Sequence, residues 1–206
     1  MSEERVRWAR LLQAIAQSGI TYTENPFDRE RFESVRAIAI EIAASASGEE
    51  PARLEERFVA EMGYGTPKVD VRGVVLRDEE LLLLVRELGE TRWTLPGGWA
   101  DVGDSPARAV EKEVLEEAGL ETRADRVLAV YDRDFRGQTT WPAHAYKIYI
   151  GCIETGGETA PDLFETEEAA FFAVDALPAL SPKTPGEHLA RVLRIATTTG
   201  HHAELD

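Results

Sequence analysis

The 206 residues carry 23 Lys and Arg against 38 Asp and Glu, a net charge of −15 that argues against charge-driven binding to nucleic acid or anionic membrane. At 43% apolar and 30% charged the composition is that of an ordinary globular protein, long enough for one full domain and a small one, with no run near the roughly 18 apolar residues of a membrane span. The single cysteine, Cys152, excludes an internal disulfide, and the charged N-terminus lacks the apolar core of a signal peptide, so the expected location is the cytoplasm.

Residues 3–18 have helical period, with Trp8, Leu11, Leu12 and Ile15 on one face and Gly19 as the stop; residues 20–23 then read as a short extended link. Asn25-Pro26 opens a second helix whose apolar positions are Phe32, Val35, Ile38, Ala39 and Ile42. A third starts near Glu50-Pro51 and uses Leu54, Phe58, Val59 and Met62. Gly63 to Pro67 reads as a linker. Residues 1–65 are thus expected to form a small three-helix domain that packs or dimerises, ahead of a larger domain over 66–206. Through residue 65 there are 8 Arg and no Lys against 12 acidic residues, the wrong balance for a DNA-contacting surface.

From Val69 the pattern changes to strands: 69–76 and 81–85 around an Arg77-Asp78-Glu79 turn, 92–95, 126–132, 144–153 alternating about Tyr146, Ile148 and Ile150, and 169–174. Thr184-Pro185-Gly186-Glu187 has the form of a capping box opening a last helix to about Thr199, and His201-His202 reads as a disordered tail. Many strands with few helices imply a mixed sheet between helical layers, an α/β architecture.

Between 95 and 120 lies the densest chemistry. A Leu95-Pro96-Gly97-Gly98 loop leads to Ser105, a good N-cap, and Pro106, suited to the first helical turn; Gly119 is placed to end the helix left-handed. Glu113, Glu116 and Glu117 stand at i, i+3 and i+4, so they share one face, beside an apolar stripe of Ala107, Val110, Val114 and Ala118. Like charges at that spacing each cost roughly 0.2–0.5 kcal/mol. Three carboxylates with a loop carbonyl form a hard oxygen set of the kind Mg²⁺ or Mn²⁺ prefers.

Gly98, five residues, Asp104, seven residues, then Lys112-Glu113-Val114-Leu115-Glu116-Glu117-Ala118-Gly119-Leu120 resembles the box of the Nudix family, with Asp104 and Lys112 where Glu and Arg are usual. The resemblance implies a Nudix-type α/β/α sandwich. It also implies a metal-dependent pyrophosphohydrolase in which Glu113, Glu116 and Glu117 with the Gly97 carbonyl hold the ions. One glutamate would assist deprotonation of the attacking water, while Gly98, Asp104, Lys112 and Gly119 shape the box. Such enzymes often recruit another carboxylate from outside the box, for which Glu165 and Glu168 are the candidates. The arrangement of the N-terminal helices, with Thr21-Tyr22-Thr23 and residues 25–31, is similar to the extension of one Nudix subgroup that dimerises and acts on small nucleotide-linked diphosphates such as CDP-choline or ADP-ribose. For base and phosphate recognition the chain offers Tyr131, Phe135 and Trp141 near Arg133 and Arg136. The alternative reading is a catalytically weak nucleotide sensor that kept the fold.

Overall fold

The computed structural model describes residues 2–134, 144–161, 164–198, 200 and 202–206. Its contacts divide the chain into Met1–Lys68 with Arg133–Ala145, and Val69–Asp132 with Tyr146–Asp206.

In the first unit α1 (Ser2–Tyr22) runs through Gly19 and takes up the expected link. Gly19 is a point of close approach rather than a stop: a Cβ there would lie 2.4 Å from the Phe32 ring of α2 (Pro26–Ser47). The buried side of α1 is Val6, Ala9, Gln13, Ala16 and Gln17, whereas Trp8, Leu11 and Ile15 face solvent. Small residues let the two helices meet closely, and that displaces the larger apolar face outward. Asn25 caps α2 by accepting the Phe27 amide at 2.9 Å, and Ala39, Ile40 and Ala43 are buried while Ile38 is exposed. In α3 (Pro51–Ala60) Leu54 and Phe58 join that core; Val59 is exposed, and Met62, also exposed, lies beyond the end of the helix. The α3 end lacks a glycine cap, and Gln13 and Gln17 donate instead to the Phe58 and Met62 carbonyls at 3.2 and 3.3 Å.

The second unit is a six-stranded sheet in the order β5-β2-β1-β4-β3-β6, from β1 (Lys68–Arg77), β2 (Leu81–Glu87), β3 (Leu120–Asp132), β4 (Ala145–Gly157), β5 (Thr166–Ala173) and β6 (Glu204–Leu205). β1–β2, β2–β5 and β3–β4 pair antiparallel and β3–β6 parallel, so the sheet is mixed. Asp78 and Glu79, with φ of 52° and 59°, turn β1 into β2. Val71, Val75, Leu83, Val85, Ile150 and Cys152 pack on Val110, Val114 and Ala118 of α4 (Pro106–Ala118). Tyr131 and Tyr149 face the other way, onto His188 of α5 (Gly186–Thr197). One helix per face makes the α/β/α sandwich.

Several local expectations change. β3 starts at Leu120, directly after the helix cap, and not at 126; β5 starts at Thr166 and so includes Glu167 and Glu168. Residues 92–95 form no strand and make only isolated bridges, Trp93 to Leu180 and Thr94 to Val85. On β4 Lys147 and Tyr149 are buried and Tyr146 is exposed, because the strand is covered on both faces. Thr184 does not cap α5; its hydroxyl is buried, accepting the Leu95 amide at 3.0 Å and pairing with Thr94 at 2.8 Å. Past His201, which lies outside the described residues, the C-terminal residues form β6.

Candidate active site

Residues 96–100 lie antiparallel along β1. The Val71 and Gly73 amides donate to the Gly98 and Pro96 carbonyls, each at 2.8 Å, and the Ala100 amide donates to Val69 at 3.0 Å. Gly97, between them, turns its amide to Oε2 of Glu117 at 2.7 Å. No other residue type fits there. Gly97 has φ 138°, and a Cβ would fall 2.0 Å from the Val71 carbonyl oxygen. No hydrogen bond to the Gly97 carbonyl is found among the described residues.

Ser105 accepts the Arg108 amide at 3.3 Å to start α4, and Gly119, with φ 73°, ends it. The helix presents its three glutamates at different depths: Glu117 is buried, Glu113 half-buried and Glu116 exposed. Burial pushes the Glu117 carboxyl up to about 7, against the opposing pull of the Gly97 amide and Arg72. Glu113 is pushed up by burial and then by the Glu116 charge; its carboxylate lies 3.1 Å from where a Gly98 Cβ would stand. As placed, no three His, Cys, Asp or Glu side chains among the described residues stand close enough to hold an ion together. The donor chemistry nonetheless fits a hard cation. Glu113 and Glu117 are oxygen donors of like charge whose carboxyls burial pushes up, a cost that such an ion would relieve.

Lys112 reaches back to Asp101 at 2.9 Å, tying the helix to the loop, and Asp104 lies 3.5 Å from Arg108. Glu165 sits in the turn before β5, its carbonyl accepting the Leu88 amide at 2.8 Å, close enough to Glu113 to add to the upward push on that carboxyl. Glu168 is placed differently: on β5, bonded to Arg86 at 2.9 Å beside Glu167. Tyr131, expected as a substrate-facing aromatic, is core. It is fully buried against His188 (ring centroids 5.0 Å) and Tyr149, and burial pushes its hydroxyl up to about 12. Arg133 belongs to the first unit, its amide on the Ala145 carbonyl at 2.9 Å. Phe135, Arg136 and Trp141 lie outside the described residues.

Four residues near the loop escaped the sequence reading. Arg72 is buried on β1, gripping both Asp70 oxygens at 2.7 and 3.3 Å and the Leu95 carbonyl at 3.2 Å. Burial opposes its charge, but the Asp70 carboxylate outweighs that and holds it above the ordinary range, with Glu117 contributing. Glu87, at the end of β2, adds to the upward push on Glu117 and is ion-paired to Lys183. The one visible signal was Asp70 and Arg72 at i, i+2 in an otherwise apolar strand, an opposite pair on one face of the sheet.

Residues 3–58 match a family model described as a UDP-X-like, N-terminal oligomerisation domain, and residues 66–192 match the NUDIX domain model. The chain belongs to the Nudix family. It is a Nudix hydrolase, acting on an acid anhydride, and hydrolases of this family generally use divalent metal ions. It is 41% identical over 192 residues to the Bacillus subtilis strain 168 protein named "Putative ADP-ribose pyrophosphatase YjhB", covering 91% of each chain. An ADP-ribose pyrophosphatase of Methanocaldococcus jannaschii is 35% identical over 124 residues, 57% of this chain and 69% of that one. Among solved structures, a UDP-X diphosphatase superposes with a TM-score of 0.63 at 33% identity, over 100% of this chain and 99% of that one. No helix among the described residues of this Nudix hydrolase is long and apolar enough to cross a membrane.

Proposed function

We propose that this Nudix hydrolase splits a nucleoside diphosphate linked to another moiety into a nucleoside monophosphate and a phosphorylated product, with ADP-ribose or CDP-choline as the favoured substrate. The observation that carries the reading is the Gly97 amide on the buried Glu117, beside Glu113, at the foot of the box helix. Glu113, Glu116, Glu117 and the Gly97 carbonyl would hold Mg²⁺ or Mn²⁺, which when bound would neutralise the diphosphate and make a water nucleophilic. In the metal-free protein burial raises the Glu117 carboxyl to about 7, and a bound cation would favour its charged, ligating form. Arg72 and the β1 amides hold the loop rigid, so the Gly97 carbonyl keeps its direction. The relatives named for ADP-ribose, and one named for UDP-linked compounds, support the substrate class.

The test is product release from ADP-ribose, CDP-choline, a UDP-sugar, NADH, a diadenosine polyphosphate and the nucleoside triphosphates, with Mg²⁺ and with Mn²⁺. Turnover of a diphosphate-linked compound is expected; turnover of triphosphates alone would overturn the substrate class. Between the two further carboxylates, Glu165 is the working one. Glu165→Gln is expected to lower kcat about tenfold or more and Glu168→Gln to change it less than twofold, because Glu168 is engaged with Arg86. Equal losses in steady-state assays would contradict this.

Residues 1–65 serve as a pairing domain for two copies of the chain, and residues 66–206 carry the chemistry. Trp8, Leu11 and Ile15 lie at i, i+3 and i+7 with about half their surface exposed, an apolar stripe that needs a partner. Leu11→Glu with Ile15→Glu is expected to halve the mass measured by light scattering while helix content stays. An unchanged mass would exclude α1 from the interface.

A further inference from the structure

The cations around the box helix sit in ion pairs, Arg108 of the helix itself with Asp104 at 3.5 Å. Arg72 is fixed by Asp70 and the Leu95 carbonyl, Arg86 pairs with Glu167 and Glu168, and Lys112 pairs with Asp101 at the surface. Lys147 is buried, donating to the Lys183 carbonyl with Asp70 at 3.8 Å. Lys183 combines a bonded backbone with a partly exposed ion pair.

Residues 179–184 are stitched to the strand end that leads into the Gly97 loop. The Trp93 amide donates to Ala179 at 2.9 Å, the Ser181 amide donates to Trp93 at 2.7 Å, and Thr184 takes the Leu95 amide at 3.0 Å. The Lys183 amide donates to the Ser181 hydroxyl at 3.3 Å, and its carbonyl accepts from Lys147. Its ammonium, by contrast, meets Glu87 in an ion pair whose side chains are 49% and 25% exposed. Glu87 is in turn near enough to Glu117 to bear on its carboxyl. A rigid root thus carries a movable charge to the edge of a group of five carboxylates, Glu87, Glu113, Glu116, Glu117 and Glu165.

We infer that Lys183 is a substrate-binding residue whose ammonium passes from Glu87 to the diphosphate of the bound substrate. This rests on the hydrolase reading above. An exposed ion pair contributes little to stability, so giving it up costs little. A diphosphate offers a higher charge and several acceptor oxygens in exchange for one carboxylate. A lysine suits the task, being a point charge on a flexible stem and not a planar fork matched to one partner. The transfer also adds positive charge, for an anionic ligand, to the edge of the five-carboxylate group.

The experiment is calorimetric titration with α,β-methylene-ADP, a diphosphate that resists hydrolysis, in Mg²⁺, with melting curves on each protein. Lys183→Met is expected to bind about tenfold more weakly, the loss of one charge-assisted contact. Lys183→Arg should keep most of the affinity, and Glu87→Gln should bind as tightly as wild type or more tightly, since Lys183 is released in advance. If the pair serves only to hold the fold, Lys183→Met and Glu87→Gln weaken binding alike, and the inference is overturned. Wild type that turns over a diphosphate substrate while Lys183→Met binds the analogue unchanged overturns the role of Lys183 alone. Wild type that neither binds the analogue nor cleaves any diphosphate-linked compound overturns the hydrolase reading and this inference with it.

Discussion

Glu117→Gln is expected to lower turnover about a thousandfold and, in metal-free protein at pH 8, to raise the melting temperature. The two effects share a cause. Glu117 is 8% exposed, and burial pushes its carboxyl up to about 7. A carboxyl with a folded-state value above the unfolded one, near 4.3, binds its proton more tightly in the native state. Below about pH 4 both states are protonated and the group is neutral in the balance. Between there and about pH 7 stability falls as pH rises, and by pH 8 the buried charge costs on the order of 3 kcal/mol. Glutamine can still accept the Gly97 amide with its side-chain oxygen, so the variant removes the charge and keeps the bond. Without the charge it does not ligate an ion well, which accounts for the loss of rate. Melting curves from pH 5 to pH 8 check the sign: the gap between variant and wild type should widen with pH. Mg²⁺ should close it by stabilising wild type more than the variant.

Gly97→Ala has the other large effect, and here stability and activity fall together. Its φ of 138° is one that side-chain-bearing residues rarely adopt, and the added methyl would stand 2.0 Å from the Val71 carbonyl oxygen. Strain and overlap together are worth about 3 kcal/mol or more. Relief requires peeling the loop from β1, which breaks the Val71–Gly98 and Gly73–Pro96 bonds and swings the Gly97 amide away from Glu117. Urea unfolding should show a lower midpoint, and activity should be lost even where the fold persists. A Gly119→Ala control, at φ 73° at the far end of the same helix, should be destabilised without that direct injury to the loop. Near-wild-type midpoint and turnover in Gly97→Ala would contradict the geometry described.

The box was legible because its constraints are local: a cap, a proline, a helical spacing of carboxylates and a closing glycine each act within a few residues. The same locality fixed the Asn25 cap and the Asp78-Glu79 turn. What could not be read required partners distant in the chain. Thr184 has the form of a helix cap but is taken by Leu95, 89 residues away. Gly19 looks like a stop because the Phe32 ring that demands it lies on another helix. Of the expected face of α1, Leu12 packs on the core while Trp8, Leu11 and Ile15 turn outward for the same reason, since close packing of small residues outweighs the pull of the larger apolar ones. Tyr131, an aromatic beside two arginines in sequence, points across the sheet into the core once pairing with β4 fixes its face. Glu165 and Glu168 are separated only by β5 pairing with β2, which gives Glu168 to Arg86.

The measurement that bears most directly on the account is monophosphate release from ADP-ribose, CDP-choline and a UDP-sugar by wild type and Glu117→Gln, side by side, with Mg²⁺ or Mn²⁺ and with a chelator. The account predicts that wild type releases a nucleoside monophosphate from at least one of them, that chelation stops it, and that the folded variant is slower by about three orders of magnitude. Release by the variant at the wild-type rate would place the chemistry elsewhere than at Gly97 and the box helix.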